Sequence, residues 1–241
     1  MKLIIDIGNT RIKAALFEQK KLISAFYFVS IAEIIDANLF SKNSISHCII
    51  ANVTSSAKDL FANLNANCPI ITFDTNLPVP LTIKYKTPAT LGADRLACAV
   101  GASVLFNQQN VLIIDAGTCI KYDFVNADNE YIGGGISPGL EMRFKALQHF
   151  TARLPLLKID NEFNQLIGSN TTESILSGVQ MGAMAEVQGI IEGYQLKFPN
   201  LRIVFTGGDA SFFEKQFKKP IFADQNLVLK GLNEILDFNI Y

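Results

Sequence analysis

Two short stretches carry residues suited to gripping phosphate. The first is Asp6-Ile7-Gly8-Asn9-Thr10-Arg11-Ile12-Lys13, entered from the apolar run Leu3-Ile4-Ile5. The second is Asp115-Ala116-Gly117-Thr118-Cys119-Ile120-Lys121, entered from Leu112-Ile113-Ile114. The copies match without a gap from Leu-Ile-Ile-Asp through glycine, and one missing residue then restores Thr10 against Thr118 and Lys13 against Lys121. In such a turn glycine lets the backbone approach a phosphate, and turn N–H groups with the Asn9 and Thr10 side chains donate to its oxygens. Lys13 adds a point charge, and Asp6 is suited to hold magnesium through water. A plain hairpin turn also uses Asn and Gly, but the repetition favours the phosphate reading.

Gly92-Ala93-Asp94-Arg95 stands at a predicted helix start. Asp94 there serves as a helix-dipole partner and Arg95 as its surface mate; on the residues alone this structural reading is preferred. The alternative is a catalytic carboxylate beside a cation that holds an anionic substrate. Thr206-Gly207-Gly208-Asp209-Ala210, between a strand and a helix, could let a flat base or ribose lie against the backbone, or could be a simple connection. Neither a Walker phosphate loop nor a dinucleotide fingerprint is present. His47 and His149 each lack a matching nucleophile or ligand spacing, and Cys48, Cys68, Cys98 and Cys119 form no Cys-x-x-Cys pair.

The elements that must position these residues follow from periodicity. Strands are predicted over 2–7, 12–17, 22–29, 48–53, 70–73, 82–85, 111–115, 119–125, 131–134 and 203–206. Helices are predicted over 31–40, 57–65, 92–107, 140–150, 172–193, 211–217 and 227–238. Gly133 to Gly139 is predicted as a loop because Pro138 interrupts it. In helix 172–193, Gly178, Gly182, Ala183 and Ala185 would permit close helix packing. Strands leading and helices following, twice, predict an α/β chain of two lobes, 1–110 and 111–241, with a nucleotide cleft between them.

Composition bounds the rest. With 241 residues the chain can build one large core or two modest ones. A net charge of −1 argues against nucleic-acid and anionic-membrane partners. No run of about 18 apolar residues predicts a membrane span, and Asp6 interrupts the apolar start before a signal segment could form. Scattered cysteines fit free thiols, so a cytoplasmic location is expected.

Taken together, the chain resembles the type III pantothenate kinases, a family within the superfamily of acetate and sugar kinases, heat-shock ATPases and actin. The resemblance runs almost end to end. Asp6, Gly8, Asn9, Thr10 and Lys13 match the family's first phosphate motif. Gly92, Asp94 and Arg95 match its Gly-x-Asp-Arg substrate motif. Asp115, Gly117, Thr118 and Asp123 match its second phosphate motif. Gly134-Gly135-Ile136, Thr151-Ala152, Asn170-Thr171 and Gly207-Gly208 are lesser marks. The sequence departs from the family's usual alanine at Cys119 and usual threonine at Lys121.

The resemblance implies duplicated RNase H-like lobes of the actin-like ATPase kind and ATP-dependent phosphorylation of pantothenate, the first step of coenzyme A biosynthesis. It implies Asp94 as general base, with Tyr85, Gly92, Ala93 and Arg95 holding pantothenate. Residues 6–13 and Thr118 would bind ATP, with Mg2+ near Asp6. A monovalent cation, K+ or NH4+, would bind at Asp115. It further implies a homodimer in which Thr171 reaches the neighbouring subunit's substrate site. The rivals are another phosphotransferase or phosphatase of the same superfamily and a non-catalytic transcription-accessory protein.

Overall fold

Runs of β-branched and other apolar residues build the strands that deliver the two aspartates. The computed structural model describes residues 1–8, 10–52, 68–74, 76–217 and 222–240; Asn9 and the helix predicted over 57–65 lie outside the described residues. Its contacts divide the chain into two compact units. The first comprises Met1–Gln108, Val125–Gly133 and Asn226–Tyr241, and the second Gln109–Phe124 and Gly134–Gln225. The lobes expected over 1–110 and 111–241 were contiguous, whereas both units are interrupted along the sequence.

In the first unit β1 (Lys2–Ile7) is buried along its whole length, its Leu3-Ile4-Ile5 run flanked by the buried Lys2 and Asp6. It pairs antiparallel with β2 (Ile12–Glu18), and parallel with β4 (His47–Asn52). With β3 (Lys21–Phe28) and β5 (Ile70–Phe73) the sheet order is β3-β2-β1-β4-β5. Leu3, Ile5, Ile7, Ile12, Ile34 and Ile50 form its core. The helix predicted over 31–40 is broken. Asn38 takes φ 52°, in the left-handed region, so α1 (Ile31–Asp36) ends before α2 (Leu39–Lys42).

Two later segments join this unit for local reasons. The short β6 (Thr82–Ile83) pairs parallel with the start of β9 (Glu130–Pro138), matching Thr82 to Glu130 and Ile83 to Tyr131. Then α8 (Leu227–Ile240) packs on α3 (Ala93–Leu105) through a glycine contact: a Cβ on Gly231 would stand 1.8 Å from the Ala97 carbonyl oxygen. Asp237 of α8 also pairs with the nearly buried Lys2 of β1 at 2.5 Å.

The second unit is built on β7 (Val111–Ala116) and β8 (Cys119–Val125). β10 (Arg202–Thr206) runs parallel to β7, and β11 (Phe222–Ala223) parallel to β10. β9 follows β8 in sheet order. The Gly-rich segment predicted as a loop is thus the second half of a strand. Gly134 explains why, since a Cβ there would stand 1.6 Å from the Tyr122 carbonyl oxygen, an approach only glycine permits. The helices are α4 (Leu140–His149), α5 (Thr171–Leu176), α6 (Gly182–Lys197) and α7 (Ala210–Gln216).

Between α5 and α6 the backbone makes a π turn, Ser177–Met181. The fully buried Gln180 of that turn accepts from the Asp160 backbone N–H at 2.8 Å and donates to its carbonyl at 2.9 Å. The irregular segment before α5 is fastened there. The small residues of this helix pack only in part: Ala183 is buried, whereas Gly178 and Gly182 face open space among the described residues. No described helix is long and apolar enough to cross a membrane.

Candidate active site

The first of the two repeated turns is a hairpin tip. Asp6 lies at the end of β1, is only 7% exposed, and stands directly opposite Lys13 in the β1–β2 register. The Gly8 N–H donates to the Arg11 carbonyl at 3.1 Å, closing the turn. Ile7 and Ile12 face each other beneath it and are buried, whereas Thr10 and Arg11 are exposed. A buried carboxylate and an exposed hydroxyl-bearing tip therefore occur within one turn.

The second turn joins β7 to β8. The Gly117 N–H donates to the Cys119 carbonyl at 3.0 Å, and Thr118 is exposed at the tip. Two neighbours brace it: the Gly139 N–H at the start of α4 donates to the Thr118 carbonyl at 3.1 Å, and the Asp209 N–H to the Ala116 carbonyl at 2.9 Å. Asp115 lies in register with Thr206 of β10. The Thr206 side chain is buried, and its hydroxyl has no hydrogen-bond partner among the described residues. On its other side, Asp115 Oδ2 is 2.7 Å from Lys121 Nζ. Asp123, further along β8, is buried.

The third constellation lies wholly in the first unit. A short turn, Pro88–Thr90, leads into α3 with Gly92 as its N-cap. The Asp94 carboxylate accepts from the Arg95 N–H at 2.9 Å and folds back over Gly92, where a Cβ would meet its Oδ1 at 2.6 Å. So Asp94 does act on its own helix start, but Arg95, expected as its surface mate, is buried instead. Yet that posture also leaves it beside the Arg95 side chain. The Arg95 guanidinium, nearly buried, lies 5.8 Å from the centre of the Tyr85 ring, within cation–π range. Tyr85 is held by Tyr131 of β9, with ring centres 6.1 Å apart, and by the neighbouring Lys84 N–H, which donates to the Tyr131 carbonyl at 2.9 Å. Tyr85, Gly92, Asp94 and Arg95 are therefore brought together, and Ala93 is buried between them in sequence.

Thr171 is the first residue of α5 and is exposed; Asn170 caps that helix by accepting from the Glu173 N–H at 3.0 Å. Three groups were not singled out in the sequence. Tyr131 supports Tyr85 through strand pairing that no local motif announces. Asp115 and Lys121 were each marked by the repeat, but not as a pair. The third is a network in which Arg143 donates to the Pro138 carbonyl, the Ser137 hydroxyl and the Glu186 carboxylate, which also accepts from the Tyr122 hydroxyl at 2.8 Å.

That network fastens the end of β9 and the start of α4, hence the brace on Thr118. Burial works against the Glu186 charge, but hydrogen bonds from Arg143, Tyr122 and Ser137 outweigh it and hold the carboxyl below its ordinary value. Its stabilisation is thus fully present above the ordinary value of 4.5 and is lost as pH falls through the lower folded value. Glu186→Gln is expected to cost about 1 kcal/mol at neutral pH, a figure reduced for partial solvent exposure. Urea unfolding should show the gap from the wild type closing in acid; a gap that persists there would refute the assignment.

Comparison with known proteins gives the family. The family profile described as type III pantothenate kinase matches residues 2–193. The chain belongs to the type III pantothenate kinase family. A type III pantothenate kinase of Flavobacterium johnsoniae is 40% identical over 242 residues, covering 100% of this chain and 99% of its own. That of Christiangramia forsetii is 43% identical over 241 residues, with 99% of each chain covered. Among solved structures, a conserved protein described as a Baf family transcriptional activator from Campylobacter jejuni superimposes with a TM-score of 0.67 at 21% identity, over 98% of each chain. MreB 5 of Spiroplasma citri bound to AMPPNP superimposes at 0.51 and 11% identity, covering 99% of this chain and 97% of its own. At such identities these two likenesses speak for the fold alone: this type III pantothenate kinase family member has the actin-like ATPase fold.

Proposed function

We propose that the chain transfers the γ-phosphoryl group of ATP to the primary hydroxyl of pantothenate, giving 4′-phosphopantothenate at the first step toward coenzyme A. The observation that carries this is the grouping of Asp94, Arg95 and Tyr85 at the start of α3, in a chain whose whole length matches this family. Phosphoryl transfer passes through a loose transition state, so positioning and charge neutralisation supply most of the catalysis. Arg95, whose guanidinium carbon lies over the Tyr85 ring, is suited to hold the pantothenate carboxylate. The Asp94 carboxylate takes the hydroxyl proton as the oxygen bonds to γ-phosphorus, and the bond to the bridging oxygen breaks to release ADP.

Each turn is suited to hold phosphate through its own backbone N–H groups and hydroxyl, Thr10 in the first and Thr118 in the second. Residues 6–13, Asn9, Arg11 and Lys13 among them, complete the first grip. Magnesium suits Asp6, because that ion commonly takes one or two carboxylates together with substrate phosphates and water. When bound, it neutralises charge on the transferring phosphoryl group. Among the described residues no cluster of three or more His, Cys, Asp or Glu side chains could cage a metal.

A homodimer belongs to the same reading, with Thr171 reaching the substrate of the neighbouring subunit. On α6, Gly182, Gly189 and Gly193 each face open space, and spacings of seven and four residues set them on one helix face. Leu196, near the end of the same helix, is 89% exposed. A second copy would find close backbone approach there, and sedimentation should give twice the chain mass of 26.5 kDa. Four free cysteines accord with a reducing cytoplasm.

The deciding assay follows ADP release with ATP, magnesium and pantothenate, beside a panel of sugars and polyphosphate. Pantothenate-dependent release is expected; turnover of a panel compound with none on pantothenate would overturn the reading.

A further inference from the structure

A cation dissolved in the medium has little place at Asp115. That carboxylate is one residue from the end of β7, just before Gly117 and Thr118, where the proposed function puts nucleotide phosphate. An uncompensated carboxylate there would repel a polyanion, so the site needs a positive charge. The resemblance assigns that charge to potassium or ammonium, but the residues present do not fit either ion. Asp115 Oδ2 already lies 2.7 Å from Lys121 Nζ, with the two side chains only 20% and 16% exposed. Asp115 Oδ1 is turned onto Gly207, where a Cβ would approach it to 2.5 Å. One oxygen is thus taken by an ammonium group and the other lies against backbone.

We infer that the Lys121 ammonium stands in for the monovalent cation at the second phosphate turn, so that nucleotide binding and turnover need no added potassium or ammonium. The chemistry is conservative. A lysine head is an alkylammonium ion, three N–H donors on a compact charge, and differs from dissolved ammonium chiefly in being tethered. Tethering removes the need to capture an ion from solution. It also removes any response of the site to the ionic composition of its surroundings. The sequence repeat carries the same logic, since Lys13 of the first copy stands opposite Asp6 in register. The inference rests on the kinase reading for what the turn holds, while the pairing of Lys121 with Asp115 stands independently of it.

Lys121→Thr separates the possibilities. In that variant Asp115 loses its ammonium and, with the Thr206 hydroxyl in register beside it, offers oxygen donors to a small cation. Affinity for ATP with magnesium, thermal midpoint and pantothenate turnover are measured in choline chloride, KCl and NH4Cl at equal ionic strength. For the wild type all three salts should agree within about twofold, since screening is then held constant. In choline chloride the variant should bind ATP about 10- to 100-fold more weakly, the range of one hydrogen bond to a charged group. KCl or NH4Cl should restore most of that affinity and raise the thermal midpoint of the variant alone.

A wild type that binds ATP well only with potassium or ammonium overturns the inference, and this arm needs no variant. So does a Lys121→Thr protein that binds normally in choline chloride, or whose loss neither small cation repairs. A wild type that binds ATP alike in all salts but never phosphorylates pantothenate would instead sink the kinase reading and leave the role of Lys121 intact.

Discussion

Asp94→Asn is expected to lower kcat for pantothenate phosphorylation by about 100- to 10,000-fold, the usual contribution of a general base. Asparagine keeps the shape of the side chain and keeps an oxygen to accept the Arg95 N–H, the contact seen at 2.9 Å. The start of α3 should therefore persist, and with it the Arg95–Tyr85 contact. What is lost is the ability to take a proton from the attacking hydroxyl. ATP affinity and the KM for pantothenate should stay close to wild type, because neither depends on that proton. Steady-state kinetics with calorimetric ATP titration check this; near-normal turnover would remove Asp94 from the reaction.

Gly231→Ala should be the most damaging single methyl in the first unit. In a helix interior alanine is ordinarily the better residue by about 0.8–1 kcal/mol. Here the added carbon would stand 1.8 Å from the Ala97 carbonyl oxygen and 2.9 Å from the Gly101 nitrogen, all backbone atoms that cannot rotate away. Gly101 shows the same closeness from the other side, with a Cβ meeting the Leu227 carbonyl at 2.6 Å. The two helices would have to separate. A net loss of about 2–3 kcal/mol is expected, within the range for overpacking, which lowers the melting temperature by roughly 5–10 °C in a chain of this size. Because α3 also carries Asp94 and Arg95, turnover should fall with stability. A variant as stable as the wild type would show that the crossing is looser than drawn.

The hairpins were legible because their information is local. Leu3-Ile4-Ile5 before Asp6-x-Gly8 writes a buried strand, a carboxylate and a turn in consecutive residues. Gly92 to Arg95 was legible as a helix start, but its meaning was not, because Tyr85 reaches Arg95 only through the pairing of β6 with β9. The Gly133–Pro138 segment was misread as a loop. Glycine weakens a strand unless something demands close approach, and that demand comes from the distant Tyr122 carbonyl. Gly178 and Gly182 illustrate the converse: small residues suggested tight packing, yet no atom of the described chain fills the space beside them. The helix over 227–238 was readable from its own periodicity, whereas its seat on α3 was not, since nothing local in Gly231 points to Ala97.

That seat has a consequence for biosynthesis. Residues 1–108 leave the ribosome well before 226–240, so through most of translation the apolar face of α3 that receives α8 has no native cover. Contacts of such long sequence separation form late and slow the search for the native state. Half-made chains with that face exposed are the species most prone to aggregate.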